Sequence, residues 1–284
     1  MDKNTKMKER ASSTLKNFFQ KTIADALEYK DIYLNDKKIE ALHQYRVNIR
    51  RIHSVLVEFK ECIHHEVYDL LKTELKILVK HTNSSRDLDV FLENIKIYKL
   101  ITPYELKGKL HEMEERLKQK QNSQFDEIKK WFESKQHKKN LQIVNDIIKE
   151  DKYYLLCDKN DISAIMKKNI KKRIKSIKKR AQIIIKKHDM VEFHKIRLTI
   201  KKLRYSIEGF KEFNKNTEIK KMLLKLQELQ KLLGDVCDKD IEIKKLKELQ
   251  EQNPELINFL VLLIEKKMEQ KKEHSFKELQ KLSL

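Results

Sequence analysis

Ile23 and Ile174, Ile49 and Ile200, Phe59 and Phe210, Leu75 and Leu226, and Leu78 and Leu229 each stand 151 residues apart. So do Asp87 and Asp238, Asp89 and Asp240, and the only two prolines, Pro103 and Pro254. A register held without insertion from about residue 39 to 103 reads as two copies of one structural unit. Each copy must then bury the same apolar pattern, and that pattern has the three- and four-residue spacing of helices. With three glycines and two prolines in 284 residues, the chain lacks the turn residues that strands need. The expected fold is all-α, two pseudo-symmetric four-helix-type bundles built from an internal repeat. Residues 1–9 are expected to be disordered. The first repeat is expected over 10–134, a bridging segment over 135–160 and the second repeat over 161–284.

Within the repeat lies a stripe of cations. On a helix at about 100° per residue, His43, Arg46 and Arg50 fall within about 60° of one another, opposite Ala41, Tyr45, Ile49, Ile52 and Leu56. No carboxylate lies between Glu40 and Glu58 to neutralise them. The pattern returns as His194, Arg197, Lys201 and Lys202, the last pairing with Arg51. Arg204 and Tyr205 extend the second stripe, where the first copy has His53 and Ser54, so the second copy is expected to be the stronger anion site. Arginine suits phosphate because its planar fork can meet two oxygens at once; lysine adds mobile point charge and histidine adds donors. If the copies pack about a twofold axis, the stripes line a basic groove or channel between them.

Charge points the same way. The chain carries a formal +20, with 30 Lys and Arg against 24 Asp and Glu up to residue 150 and 34 against 20 beyond it, hence +6 and +14. A field of that sign favours polyanions. Cys62, Cys157 and Cys237 form no CxxC and no evident disulfide framework, which points to a reducing compartment. The N-terminus has no apolar core of a signal peptide, and the longest apolar run, Phe259–Ile264, is too short to cross a bilayer. A cytoplasmic location is expected.

Helices are expected near 10–33, from the His43 stretch to about Cys62, at 65–81 and at 86–99. A long one opens at Thr102-Pro103-Tyr104-Glu105, which reads as N-cap, first-turn proline and capping-box glutamate. In the second copy they are expected near 162–187, 190–213, 216–233, 238–251 and 254–281. The 162–187 helix pairs an apolar stripe (Met166, Ile170, Ile174, Ile177, Ala181, Ile184) with a surface of lysines. Such helices can lie on membranes, but more often they present a solvated face over a core.

The Asp pairs at Asp87/Asp89 and Asp238/Asp240 could bind a hard metal, but at a helix start they more often stabilise the N-terminus or orient an Arg or His. Arg86, beside the first pair, is replaced by Cys237 in the second, so an anion contact there is expected in the first copy only. There is no Gly-rich phosphate loop, no HExxH and no nucleophile with an evident base. No catalytic residue, metal or cofactor is expected.

The segments His43-x-x-Arg46-x-x-x-Arg50-Arg51, Arg86-Asp87-x-Asp89, His194-x-x-Arg197-x-x-x-Lys201-Lys202-Leu-Arg204-Tyr205 and Leu229-Gln-x-x-Leu-Gly234-x-x-x-Asp238 resemble the CHAD family, the conserved histidine α-helical domain, over nearly the whole chain. The resemblance implies paired helical bundles whose basic surface binds inorganic polyphosphate, in some members at polyphosphate granules. Some members are fused to a triphosphate-processing domain, for which these 284 residues leave no room. It carries the binding role to His43, Arg46, Arg50, Arg51, His194, Arg197, Lys201, Lys202 and Arg204, while Cys237 departs from the motif. The functional expectation is therefore non-catalytic polyphosphate binding. RNA or DNA binding is the alternative, disfavoured because the stripes carry almost no aromatic residue beyond Tyr205 for base stacking.

Overall fold

The computed structural model describes residues 3–155, 159–210 and 217–283. Ten α-helices occur among them: α1 Lys3–Asp36, α2 Ile39–Glu58, α3 His65–Lys80, α4 Asn83–Ile101, α5 Tyr104–Glu133, α6 Lys135–Lys149, α7 Lys159–Lys187, α8 Met190–Phe210, α9 Thr217–Glu248 and α10 Pro254–Ser283. The only strand-like pairing among these residues is an isolated antiparallel bridge between Ile63 and Tyr154. The protein is all-α. None of its described helices is long and apolar enough to cross a membrane.

The helices form two compact units. The first comprises α1, α2, α3, α4 up to Glu93, α5 from Arg116, α6, α7 up to Lys168 and α8 from Gly209; the second comprises α4 from Asn94, α5 up to Glu115, α7 from Asn169, α8 up to Glu208, α9 and α10. In the first unit α2 packs against α1 and α3, and α6 closes over both of these. Its core joins Phe18, Phe19 and Ile23 of α1 to Leu42, Tyr45, Ile49, Ile52 and Leu56 of α2, with Leu71, Leu75 and Leu78 of α3 and Val144 and Ile148 of α6. In the second unit α9 and α10 pack together, around Ile177, Ala181 and Ile184 of α7 and Phe193, Ile196, Ile200 and Leu203 of α8. The buried Glu242 carboxylate of α9 accepts from Asn94 Nδ2 (2.7 Å) and Lys239 Nζ (2.7 Å) and from the Tyr98 hydroxyl, which ties α4 to α9 within this unit.

Two chain reversals share one geometry. Among the described residues, Lys37 (φ 53°) and His188 (φ 52°) are the non-glycine residues with positive φ, and they too stand 151 apart. Each follows a helix and sends its N–H back to the carbonyl four residues earlier, Tyr33 (3.0 Å) and Ile184 (2.9 Å), the single-bond left-handed helix cap.

Several elements differ from expectation. α1 begins at Lys3, within the stretch expected to be disordered. Residues 135–149, expected to bridge, form a helix whose N-cap Ser134 Oγ accepts from His137 N (3.0 Å) and whose inner side is His137, Asn140, Val144, Ile147 and Ile148. The break expected near Gly234 does not occur. α9 runs straight through, because an interior glycine costs a helix only about 1 kcal/mol and here Leu233, Val236 and Cys237 are buried around it. Thr102 does not cap α5 with its hydroxyl, which instead donates back to Tyr98 O (2.8 Å). Cys62 is disulfide-bonded, against the expectation of three separate thiols, which removes the cysteine argument for a reducing compartment; Cys237 is a buried free thiol and Cys157 lies outside the described residues.

His137 offers a test of the α6 packing. It is 1% exposed, edge-on to Trp131 and Phe132, and its pKa is lowered to about 4, chiefly by burial and then by the neighbouring Lys30 charge, with His81 adding to it. A folded-state pKa below the unfolded value near 6.5 means that the unfolded chain takes up the proton first. Stability from this site is therefore full above about pH 6.5 and drains as pH falls toward 4, by up to about 3 kcal/mol. Urea unfolding of the wild type and His137→Gln across this range should show the wild type losing the extra increment; parallel curves would mean that the imidazole is not held neutral.

Candidate anion-binding site

In the first unit α2 lies against α3, and Arg46 points into the turn that joins α3 to α4. It is 4% exposed. Its Nη1 donates to Thr82 Oγ1 (2.6 Å) and Val79 O (3.4 Å), and its Nη2 donates to Asn83 Oδ1 (2.9 Å). Thr82 Oγ1 in turn donates to Val79 O (2.8 Å), and the hydroxyl of neighbouring Tyr45 donates to Leu78 O (3.2 Å). These carbonyls belong to the last turn of α3, where a helix leaves acceptors unsatisfied and its dipole is negative. Burial draws the Arg46 pKa down to about 10, with Arg50 and Arg86 adding like-charge repulsion, so it stays cationic at neutral pH. Arg46 thus acts first as a clamp on the end of α3.

Beside the clamp, α2 and α3 leave an open groove of about 350 Å³, lined by Ile49, Arg50, His53, Leu75, Lys76, Val79, Lys80 and Asn83. The floor is apolar and the rim cationic; no Asp or Glu is among the lining residues. Arg50, Lys76 and Lys80 are exposed, and neither lysine has an ion-pair partner among the described residues. Lys76 and Lys80 are one helical turn apart, facing the Arg50 and His53 turn of α2. Of the residues expected from sequence, Arg50 lines the groove. His43 and Arg51 are half-buried, Arg51 donating to Asn48 Oδ1 (3.2 Å). Arg86 is half-buried next to Arg46, with a buried Nη1 that meets no hydrogen-bond partner among the described residues. Asp89, below it, is buried and accepts from Gln121 Nε2 (2.6 Å); burial raises its pKa.

The second unit treats the equivalent residues differently. His194 Nε2 lies 3.0 Å from Asp240 Oδ2, which also accepts from Lys244 Nζ (2.8 Å). Although burial raises it, the Lys244 and His194 contacts bring the Asp240 pKa below the ordinary carboxylate range. Arg197 Nη2 donates to Asp238 Oδ1 (2.8 Å), and Arg197 Nε lies 3.7 Å from where a Cβ at Gly234 would stand. Arg204 Nε is 3.6 Å from Glu208 Oε1, and its guanidinium sits 4.7 Å over the Tyr205 ring, which is itself buried. Lys201 is half-buried and Lys202 exposed. Cys237, in the place of Arg86, is a buried thiol whose pKa rises to about 11, chiefly through burial. The α8 stripe is thus partly neutralised by α9 carboxylates, which runs against the expectation that the second copy is the stronger anion site.

Lys76, Lys80, His53 and Asn83 were not expected in the site. The i, i+4 lysines beside Leu75 and Val79 are readable on α3, but only the α2–α3 contact puts them opposite Arg50. Among the described residues one trio, His111, Glu114 and Glu115, has possible ligand atoms within 4.8 Å of one another. Its buried Glu114 is already engaged by Lys99.

The family model described as CHAD domain matches residues 17–247. Among solved structures, the CHAD domain from the plant Ricinus communis superposes with a TM-score of 0.76 at 18% identity, covering 95% of this chain and 91% of that one. PptA from Streptomyces chartreusis superposes at 0.68 and 12% identity, covering 95% and 98%. At such identities these likenesses establish the fold alone. No curated protein sequence matches the chain.

The clamp and the groove separate experimentally. Arg46→Met should cost about 2–3 kcal/mol in urea unfolding, because a buried charged donor and its three acceptors lose one another. Lys80→Gln, on an exposed rim, should change stability by less than about 0.5 kcal/mol. Equal effects would contradict the assignment of Arg46 to the fold.

Proposed function

Since this chain belongs to the CHAD domain family, we propose that it is a non-catalytic binder of inorganic polyphosphate. The observation that carries this reading is the α2–α3 groove, whose rim offers Arg50, His53, Lys76 and Lys80 with no carboxylate among its lining residues. A strand of phosphates laid along that rim exchanges mobile counterions for fixed donors. Affinity should therefore fall steeply with salt, as it does for nucleic acids. Arg50 can meet two phosphate oxygens at once, and the two lysines follow the remaining charge as the polymer shifts. Arg46, committed to α3, contributes its field more than its hydrogen bonds, and so fixes the groove as positive whatever the pH between 5 and 8.

The α8 cations belong to the same reading in a weaker role. A polyanion has to displace Asp238 and Asp240 from Arg197 and His194 before it can use them fully. The reading includes no turnover, no metal and no cofactor, with recruitment to polyphosphate granules as its cellular consequence. The nucleic-acid alternative lacks aromatic rings in the groove on which bases could stack.

Arg50→Gln/Lys76→Gln/Lys80→Gln should reduce affinity for long-chain polyphosphate by at least about tenfold in filter or mobility assays, with helicity unchanged, since each lost phosphate contact weakens binding. Retention equal to wild type in the folded triple variant would remove the groove from the mechanism. Phosphate release on incubation with magnesium or manganese would replace binding by hydrolysis. Preference for RNA at matched phosphate concentration would reverse the ligand assignment.

A further inference from the structure

The outer face of α7 is a second cationic element that the α2–α3 groove does not include. Between Asp161 and Asp189 the sequence contains no carboxylate at all. Within the second unit, Lys171, Lys172, Lys175, Lys178, Lys179 and Lys186 are all exposed. At 100° per residue they fall within about 120° of arc, and their fifteen residue steps extend about 22 Å. None of the six has an ion-pair partner among the described residues. Glu192 of α8 reaches α7 at Arg180 (2.6 Å), about half a turn away from the ridge.

This pattern selects its ligand by what it lacks. Six charges in about 22 Å is one per about 4 Å, close to the 3.4 Å per charge of a single phosphodiester strand. The ridge has no aromatic residue for base stacking and no arginine for base edges, so it offers nothing to the bases of a nucleic acid. An interfacial helix must sink its apolar face into lipid, but here Ile177, Ala181 and Ile184 are consumed in the core of the unit. A polymer that is phosphate throughout needs only mobile point charges at regular spacing, and lysine ammoniums supply them.

We infer that the exposed lysine ridge of α7 is a second polyphosphate-binding element, acting on long chains and adding to the α2–α3 groove. This rests on the polyphosphate reading above. A short oligomer meets too few of the six ammoniums to be held on the ridge, whereas a long chain meets all of them and shows a steeper salt dependence.

The test is Lys171→Gln/Lys175→Gln/Lys178→Gln/Lys179→Gln in the full chain; glutamine on an exposed helical face preserves helicity. Long-chain sodium polyphosphate and tripolyphosphate are titrated across a salt series. The quadruple variant should bind the long chain at least about tenfold more weakly, with a log–log salt slope shallower by about 3, and should bind tripolyphosphate like wild type. A folded variant that keeps the wild-type long-chain affinity and slope overturns the ridge while leaving the groove. A wild-type protein that holds neither polymer overturns the parent reading and this one with it. Loss of poly(U) or of anionic-vesicle binding in the variant, with polyphosphate binding intact, also overturns it and reassigns the ridge to nucleic acid or lipid.

Discussion

A guanidinium that is 4% exposed has to be met on all sides by acceptors, or the fold around it fails. Arg46 is met by Thr82, Asn83 and the Val79 carbonyl, all at the point where α3 gives way to α4. The interaction answers two needs together. The last turn of α3 has carbonyls without intrahelical partners, and α2 carries a guanidinium that its packing against α3 buries. Satisfying both fixes the angle between α2 and α3, and that angle opens the groove. The site's geometry is therefore a consequence of core polar chemistry, and Asn83, which receives Arg46 and also lines the groove, joins the two.

The two stripes show how equal residue types acquire unequal roles. Arg46 and Arg197 stand 151 apart, yet one ends on neutral oxygens in the interior and the other on the exposed carboxylate of Asp238. His194 is held by Asp240, whereas the equivalent Asp89 is buried and takes its hydrogen bond from Gln121. Arg86 in the first copy and Cys237 in the second complete the divergence: a guanidinium keeps the first turn positive, and a neutral buried thiol leaves the second to its carboxylates. The first unit thus retains a positive field at its groove while the second spends much of its charge within itself.

The sequence carried the fold class openly, since scarce Gly and Pro together with three- and four-residue apolar spacing leave little besides helices. Its helix ends also bracketed the chain reversals at Lys37 and His188, the second a residue type that takes positive φ more readily than most. What it hid were features decided by burial. Gly234 looked like a break and is a helix interior, because its buried neighbours outweigh its intrinsic cost. The α6 helix looked like a bridge because residues 135–160 have no counterpart in the second copy, and only its burial of His137, Asn140 and Val144 shows it to be a packed helix. The site was half legible: Arg50 stands where a helical wheel puts it, but Arg46, only four residues away, is turned inward by a partner 36 residues on. Lys76 and Lys80 carry no local mark that separates them from the other lysines, and only the helix they face makes them part of a groove.

That surplus of lysine has a thermodynamic side. A chain at +20 repels itself, and the repulsion is strongest where cations are gathered without acids, at the groove rim and along α7. In the second unit the α9 carboxylates relieve it internally. For Lys76 and Lys80 at the groove and for the six lysines of the ridge the relief has to come from solution, first from small anions and better from a polymer whose charges are already linked and so release many counterions at once. Any ligand that binds only the folded state stabilises it in proportion to its occupancy. Leaving those lysines without an acidic partner is thus a cost to the free fold that is recovered on binding, and it is the physical reason to favour these surfaces over the carboxylate-bound α8 stripe as sites for the proposed polyanion.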